Sequence, residues 1–444
     1  MSFYSVDLPY QSDAAGYYAA LDCLPWAVWL DSCGMARYDI LTAAPQRTLV
    51  LKNEAMQSDP FALLRSELGE RLVPIEGVPF AGGALGYWGY DLARHTMTLP
   101  DIAQDREQLP SLAVGIYDWA IVLDHQQRSA RLVSHQRFAE TAQFLPQLLC
   151  RLESKPVPTP DTFKVRGKIS SNFTPDSYGE AFNKVQGYLR SGDCYQINLA
   201  QRFRAKAEGD AFRAYLRFRG LNPAPYAAYL NFPHARILCT SPERFLRVRN
   251  GRVETRPIKG TRQRSSDTLL DRQLADELRN HPKDRAENLM IVDLLRSDLG
   301  KSCIPGSIRA SKLFEVESFA NVHHLVSTVE GQLAAGRDAL DVLRDCFPGG
   351  SVTGAPKLRA MQIIDQLEPD RRGVYCGAIG YIGFDGSMDS NIVIRTLVHS
   401  GKEIRCWAGG GIIADSDVRA EYRETMDKAS AMLKLLKIYG GEYE

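Results

Sequence analysis

The chain has 444 residues, 44% of them hydrophobic and 24% charged, the make-up of a globular protein with enough apolar material for a large core. Lys and Arg number 54 against 53 Asp and Glu, a formal net charge of +1, so no overall field favours nucleic acid or an anionic membrane and any anionic ligand must be held locally. The nine cysteines are scattered singly, with neither a C-x-x-C pair nor zinc-like Cys/His spacing, and no basic-then-apolar leader or long uncharged apolar run occurs, so a cytoplasmic location is expected.

Residues 1–152 read as a β-rich N-terminal subdomain: ALGYWGYDLA, LAVGIYDWAIVLDH and SARLVSH are strand-like, with Tyr117 to Leu123 the clearest strand. Residues 153–173, with three prolines and little apolar periodicity, predict an extended connector. From 174 to 438 helices and strands alternate. Tyr178, Phe182, Val185 and Leu189, at spacings of 4, 3 and 4, predict an amphipathic helix from Pro175 that stops before Gly192, and CYQINLAQRF follows as a strand. Near the end, Tyr422, Met426, Ala429, Leu433 and Leu436 share one face of a helix. The pattern is a mixed α/β protein whose chemistry lies after the connector.

Thr240 to Arg264, TSPERFLRVRNGRVETRPIKGTRQR, reads as strand, turn at Asn250-Gly251, strand and polar loop, which puts Glu243 and Lys259 on two arms of a hairpin. Such a pair is either a surface ion pair or two groups serving one pocket. In a pocket, desolvation would free the lysine as a neutral nucleophile and keep a nearby carboxyl protonated as a general acid. Asp284 and Glu287 share a helix face, as do Glu421 and Glu424, with Lys428 one turn on. These faces meet solvent, or they converge on a hard cation such as magnesium. The last of them is rotated roughly 130° from its helix's apolar stripe, which leaves both options open.

Three glycine-bearing segments, 347–357, 375–386 and 407–416, predict tight turns or cradles for a carboxylate, and GAPKLRAMQIIDQL reads as a helix start. None fits a nucleotide-binding glycine pattern. His323 and His324 sit in a predicted strand that sends one to each face, where a packing role is the commoner use.

In order along the chain, GDCYQINLAQRF, SPERF, TRPIKGT, AENLMIVDLLRSDLG, HHLVS, GGSVTGAPK, IVIRTL, AGGGIIADS and EYRETMDK together resemble the chorismate-utilising family, from about Pro175 to Lys437. That family includes anthranilate, isochorismate, salicylate and aminodeoxychorismate synthases, and the resemblance implies a two-sheet, sandwich-like core surrounded by helices. The residue after TRPI is alanine in most anthranilate synthases and commonly lysine in aminodeoxychorismate synthases; here it is Lys259. Gln196 stands where the isochorismate and salicylate enzymes usually carry a water-activating lysine. The N-terminal half is also similar to the aminodeoxychorismate synthases, through LPWAVWLDS, RYDI and FAGGALGYWGYDLAR. The implied reaction is amination of chorismate at C4; anthranilate formation, or more remotely isochorismate formation, is the alternative.

By resemblance, Glu243 is the general acid, Lys259 the covalent nucleophile, and His324 a site histidine near C4 of the substrate. Glu287 and Glu424 are the implied Mg2+ ligands, supported by Glu421 and Asp284. Tyr375, Arg395, Thr353, Gly354, Lys428 and Gly409, Gly410 and Gly411 are the implied substrate contacts. No G-x-C-x-G-x-Q segment occurs, so a separate glutamine amidotransferase subunit is implied as the ammonia source. Some relatives hold tryptophan in the N-terminal region; Ser32, Arg37, Tyr38, Pro225 and Tyr226 would line that pocket, whereas Met35, Ala36 and Ala227 depart from the expected polar or aromatic residues. Ser297 replaces the asparagine usual in the family's R-N-D turn.

Overall fold

The structure, a computed structural model, describes residues 3–52, 59–153, 160–319 and 322–443. The described residues form two antiparallel sheets of 12 and 10 strands, dressed with helices. The first runs Tyr4–Leu8, Ser129–Ser134, Ala120–Asp124, Tyr38–Thr42, Ala27–Asp31, Tyr226–Asn231, Arg236–Ser241, Thr396–Ser400, Glu403–Ile412, Gln196–Glu208 and Gly354–Ala355, with Lys164–Ser171 also pairing on Gln196–Glu208. The second runs Ile258–Gln263, Val322–Gln332, Arg252–Thr255, Arg244–Arg249, Met388–Ile392, Ala378–Gly383, Gly83–Trp88, Leu112–Tyr117 and Arg47–Leu51, with Arg309–Ser318 also pairing on Val322–Gln332.

The inner faces of the two sheets bury a shared core in which Val28, Ile40, Leu230 and Ile237 of the first meet Leu85, Tyr87, Ile379 and Tyr381 of the second. Successive side chains of a strand point to opposite faces, so every second residue of each strand reaches that core. Residues 1–152, expected as a subdomain, contribute strands to both sheets: Ala27–Asp31 pairs with Tyr226–Asn231, and Gly83–Trp88 with Ala378–Gly383. Within the span expected as a connector, 154–159 lie outside the described residues, while Lys164–Ser171 is a full member of the first sheet.

The strand expected over Tyr117 to Leu123 is two strands, Leu112–Tyr117 and Ala120–Asp124, in different sheets. The crossing falls at Asp118, whose buried carboxylate accepts the Arg137 and Phe138 backbone N–H groups at 3.0 and 2.9 Å. Both strands are buried on both faces, so no alternation marked the break. The hairpin at Asn250-Gly251 forms as expected, but Glu243 precedes its first strand and Lys259 lies beyond its second, on Ile258–Gln263, which pairs with Val322–Gln332. The two residues are therefore not on facing arms of one hairpin.

Two of the three glycine segments expected as turns are largely strand, Ala378–Gly383 and Glu403–Ile412. The helices expected at Pro175, after Pro356 and near the C-terminus are present as Pro175–Arg190, Lys357–Leu367 and Val418–Ile438. The helix Pro282–Leu299 opens on a proline, whose absent N–H costs nothing in the first turn, with the His281 ring accepting the Asp284 N–H at 3.3 Å. Among the described residues no helix is long and apolar enough to cross a membrane.

Candidate active site

A cavity of about 820 Å3 lies where the ends of both sheets meet the helices Pro282–Leu299 and Val418–Ile438. Its size is ordinary for a small-molecule site. Glu243, Lys259, His324, Tyr375, Arg395 and Lys428 line it, as do the carboxylates Asp284, Glu287, Glu421 and Glu424.

Lys259 reaches the cavity from a distorted strand. Register against Val322–Gln332 slips between Lys259 and Thr261, so Lys259 opposes Leu325 and Thr261 opposes His324. Gly260 absorbs the slip at φ +73°, and a Cβ there would stand 2.9 Å from Asp284 Cγ and 2.8 Å from Leu278 Cδ1. Only glycine accommodates both the left-handed backbone and the two helices, Thr268–Asn280 and Pro282–Leu299, pressed against it. Burial lowers the Lys259 ammonium below its ordinary range, although the negative charge of Glu287 works the other way.

Glu243 is 5% exposed, and burial pushes its carboxyl up to about 7, against the hydrogen bond from Ser351 and the charge of Lys259. Its backbone is pinned, the carbonyl accepting the Ile392 N–H at 3.0 Å and the N–H donating to Ser241 Oγ at 3.2 Å. A carboxyl raised by burial and an amine lowered by burial, lining one cavity, are shifted in the directions that a general acid and a nucleophile in one site require.

The carboxylates form a graded set. Asp284 is taken up by Arg262, whose Nη2 donates to Oδ2 at 3.1 Å. Glu421 is buried; its Oε1 accepts Ser416 Oγ at 2.6 Å and its Oε2 has no hydrogen-bond partner among the described residues. Glu424 accepts Lys428 Nζ at 2.6 Å; burial raises its carboxyl, but the charge and hydrogen bond of Lys428 together with the charges of Lys259 and Lys283 hold it below the usual carboxylate range. Glu287 is raised by burial, and Glu424 raises it further through space. Among the described residues no three His, Cys, Asp or Glu side chains converge as a complete metal cage. Two facing carboxylates and an orphaned buried carboxylate oxygen still fit a cation that keeps water and substrate oxygens in its shell, as magnesium does.

On the opposite wall Tyr375 stacks on Trp407, ring centroids 5.7 Å apart and planes 7° from parallel. Arg395, at φ +52°, donates to the Lys428 carbonyl. Lys428 Nζ donates to the Gly409 carbonyl at 2.9 Å. His324 is buried, which lowers it to about 4, and shares a hydrogen bond with Thr261 Oγ1 at 2.9 Å. His323 is buried as well, bonded to Ser318 Oγ and Asp271, outside the cavity lining.

Not every predicted residue faces the cavity. Thr353 is fully buried, its hydroxyl donating to the Gly349 carbonyl at 3.1 Å, and Gly354 packs so tightly that a Cβ would stand 2.1 Å from the Gln196 carbonyl. Ser351 and Val352, two residues earlier in the same motif, line the cavity in their place. Gly409 and Gly411 line it, while Gly410 is turned toward Glu421 and Glu424. The Gln196 amide is buried under Gly411, neither of its polar atoms hydrogen-bonded among the described residues. Sequence reasoning passed over Ser351, Thr261 and Trp407; each sits inside or beside a motif it had singled out, and only the packing distinguishes them from their neighbours.

A second cavity, about 570 Å3, opens between the sheets and is lined by Arg37, Tyr38, Pro225 and Tyr226, with Ala36 and Ala227 also on its wall. Ser32 is buried behind it, its hydroxyl accepting the Gly34 N–H at 3.1 Å, and Met35 faces the first cavity instead.

A family model described as chorismate binding enzyme matches residues 26–434, and the chain belongs to that family. It is 46% identical to aminodeoxychorismate synthase component 1 of Klebsiella aerogenes, over 97% of this chain and 98% of that one. It is 38% identical to anthranilate synthase component 1 of Streptomyces coelicolor, over 91% of this chain and 82% of that one. The crystal structure of anthranilate synthase component I from Streptococcus pneumoniae superposes with a TM-score of 0.81 at 33% identity, covering 89% of this chain and 92% of that chain.

Proposed function

We infer that this chain replaces the C4 hydroxyl of chorismate with an amino group, giving 4-amino-4-deoxychorismate for 4-aminobenzoate and folate synthesis. The observation that carries this reading is the occurrence of Lys259, lowered by burial, in one cavity with Glu243, raised by burial to about 7. The 46% identity to an aminodeoxychorismate synthase component 1 supports the same reading.

In the proposed sequence the neutral Lys259 amine adds at C2 of chorismate. The ring double bonds shift, the C4–O bond breaks, and the Glu243 carboxyl gives its proton to the departing hydroxyl, which leaves as water. Ammonia then adds at C4, the double bonds shift back, and the C2–N bond to Lys259 breaks. Arg395 and Tyr375 hold the enolpyruvyl carboxylate, while Lys428, Gly409 and Gly411 close over the substrate. His324, neutral at physiological pH, offers a hydrogen-bonding ring near C4 and no charge. Glu287 and Glu424 would hold Mg2+, with Glu421 and Asp284 supporting them. When bound, the ion supplies Lewis-acid stabilisation of charge on the substrate's ring carboxylate.

The ammonia source in this proposal is a separate glutamine amidotransferase subunit, a reading supported by the designation component 1 of the relatives and by the missing G-x-C-x-G-x-Q segment. The enzyme is proposed to be cytoplasmic. Tryptophan is proposed for the second cavity, where Arg37, Tyr38, Pro225 and Tyr226 supply aromatic and cationic walls. The test of the main reading is product analysis after the purified chain meets chorismate, magnesium and ammonium. The C4-amino product is expected; anthranilate fluorescence with no other enzyme present, or isochorismate formed without ammonium, contradicts it.

A further inference from the structure

Ser351 Oγ donates to Glu243 Oε1 at 2.9 Å, and the serine lines the same cavity as the carboxyl it holds. The serine sits in a short 3-10 turn, Gly350–Val352, that is fixed from behind. Arg372, buried, donates from Nη1 to the Val352 carbonyl at 2.8 Å, and Asn198 Nδ2 donates to the same carbonyl at 3.0 Å. The Val352 and Thr353 N–H groups return to the carbonyls of Gly349 and Gly350, both at 3.3 Å. Gly350 packs so closely under the helix Pro282–Leu299 that a Cβ would stand 2.5 Å from Leu294 Cδ2. A hydroxyl on such a turn has little freedom to be anywhere else.

We propose that Ser351 is the positioning residue of the general acid, its hydroxyl fixing Oε1 of Glu243 so that the other carboxyl oxygen faces the C4 hydroxyl of the substrate. This rests on the C4-amination reading given above. A carboxylic acid donates one proton, from one oxygen, along one direction. With Oε1 occupied as the acceptor of Ser351, the proton is left to Oε2, so the hydroxyl selects which oxygen is the acid. Proton transfer to a leaving group depends on that alignment.

The groups facing Glu243 from the neighbouring elements are Lys259 on Ile258–Gln263, the Ile258 backbone N–H, and Lys428 on Val418–Ile438; each of them, like Ser351, favours the ionised carboxyl. Removal of the Ser351 hydroxyl therefore leaves Glu243 protonated to higher pH while loosening its aim. A packing role for the serine predicts neither effect.

The experiment compares Ser351→Ala, Ser351→Thr and Glu243→Gln in the full-length chain, with chorismate, magnesium and ammonium, across the pH range of activity. Ser351→Ala is expected to lose roughly tenfold in kcat, less than the hundredfold or more attributed to a general acid because the acid itself is retained, with KM for chorismate nearly unchanged and the basic limb of the pH profile moved upward. Ser351→Thr, which keeps the hydroxyl, is expected to restore most of kcat and the original limb. A wild-type kcat and profile in Ser351→Ala overturns the inference, as does a loss confined to KM or one that leaves the basic limb in place. Glu243→Gln separates the two levels: if it aminates chorismate normally, the general-acid reading itself fails, whereas an inactive Glu243→Gln beside an unaffected Ser351→Ala overturns the role of the serine alone.

Discussion

Gly410 and Glu421 are packed so that a methyl group on the glycine would stand 2.9 Å from Glu421 Oε2 and 3.6 Å from Glu424 Oε1. The glycine strand Glu403–Ile412 thus serves less as a cradle of backbone N–H groups than as the space into which two carboxylates of the last helix are pressed. Gly410→Ala should leave the fold intact, since the added Cβ meets side-chain ends that can shift. It should weaken magnesium dependence and lower the rate by an order of magnitude or more, roughly what displaced metal-supporting groups cost. Magnesium titrations of activity on the variant and the parent check this; equal half-saturation concentrations and rates would contradict it.

Glu243 couples the pH dependence of activity to that of stability. The folded protein keeps a proton on this carboxyl between its ordinary value of 4.5 and about 7, where the unfolded chain has released it. The folded state binds more protons in that window, so stability falls as pH rises through it and the full penalty is present above about pH 7. Glu243→Gln removes the penalty. Its Tm should match the parent's at acid pH and exceed it at about pH 8, by the equivalent of at most about 3 kcal/mol. The same variant should lose activity by about a hundredfold. Thermal melts at the two pH values, with no Tm gain on the alkaline side, would refute the assignment.

Arg372 and Glu368 form a buried pair at 2.6 Å, each 1% exposed at the side chain. Arg372 also donates to the Asn198 and Val352 carbonyls, and Glu368 Oε1 accepts the Ala200 N–H at 2.9 Å. Arg372→Met strands the Glu368 carboxylate and should destabilise the protein by about 3–5 kcal/mol. Adding Glu368→Leu should recover part of that loss. Urea denaturation of both variants measures it; a single variant within about 1 kcal/mol of the parent contradicts the reading.

The architecture was partly legible in the sequence. Amphipathic spacing marked Pro175–Arg190 and Val418–Ile438, because solvent lies on one side of each. Amphipathic spacing gave no break at Tyr117 to Leu123, where both faces are buried and the one charged residue, Asp118, is itself buried at the crossing between the sheets. Glu243 and Lys259 were legible through their motifs, but not the way they meet. Their proximity depends on Ile258–Gln263 pairing with a strand more than 60 residues further on, and on the slip at Gly260 that local pattern does not encode. At GGSVTGAPK the motif was legible but not the direction in which its members face: Thr353 and Gly354 pack inward, whereas Ser351 reaches the acid.

Covalent participation by Lys259 is tested most directly by intact-protein mass spectrometry of the chain quenched in acid after mixing with chorismate and magnesium in the absence of ammonium. A covalent Lys259 intermediate gives a fraction of protein heavier by chorismate less one water, with the added mass on the peptide containing Lys259 and absent from Lys259→Ala. Lys259→Ala that aminates chorismate at the parent rate, or an adduct carried by any other residue, would contradict it.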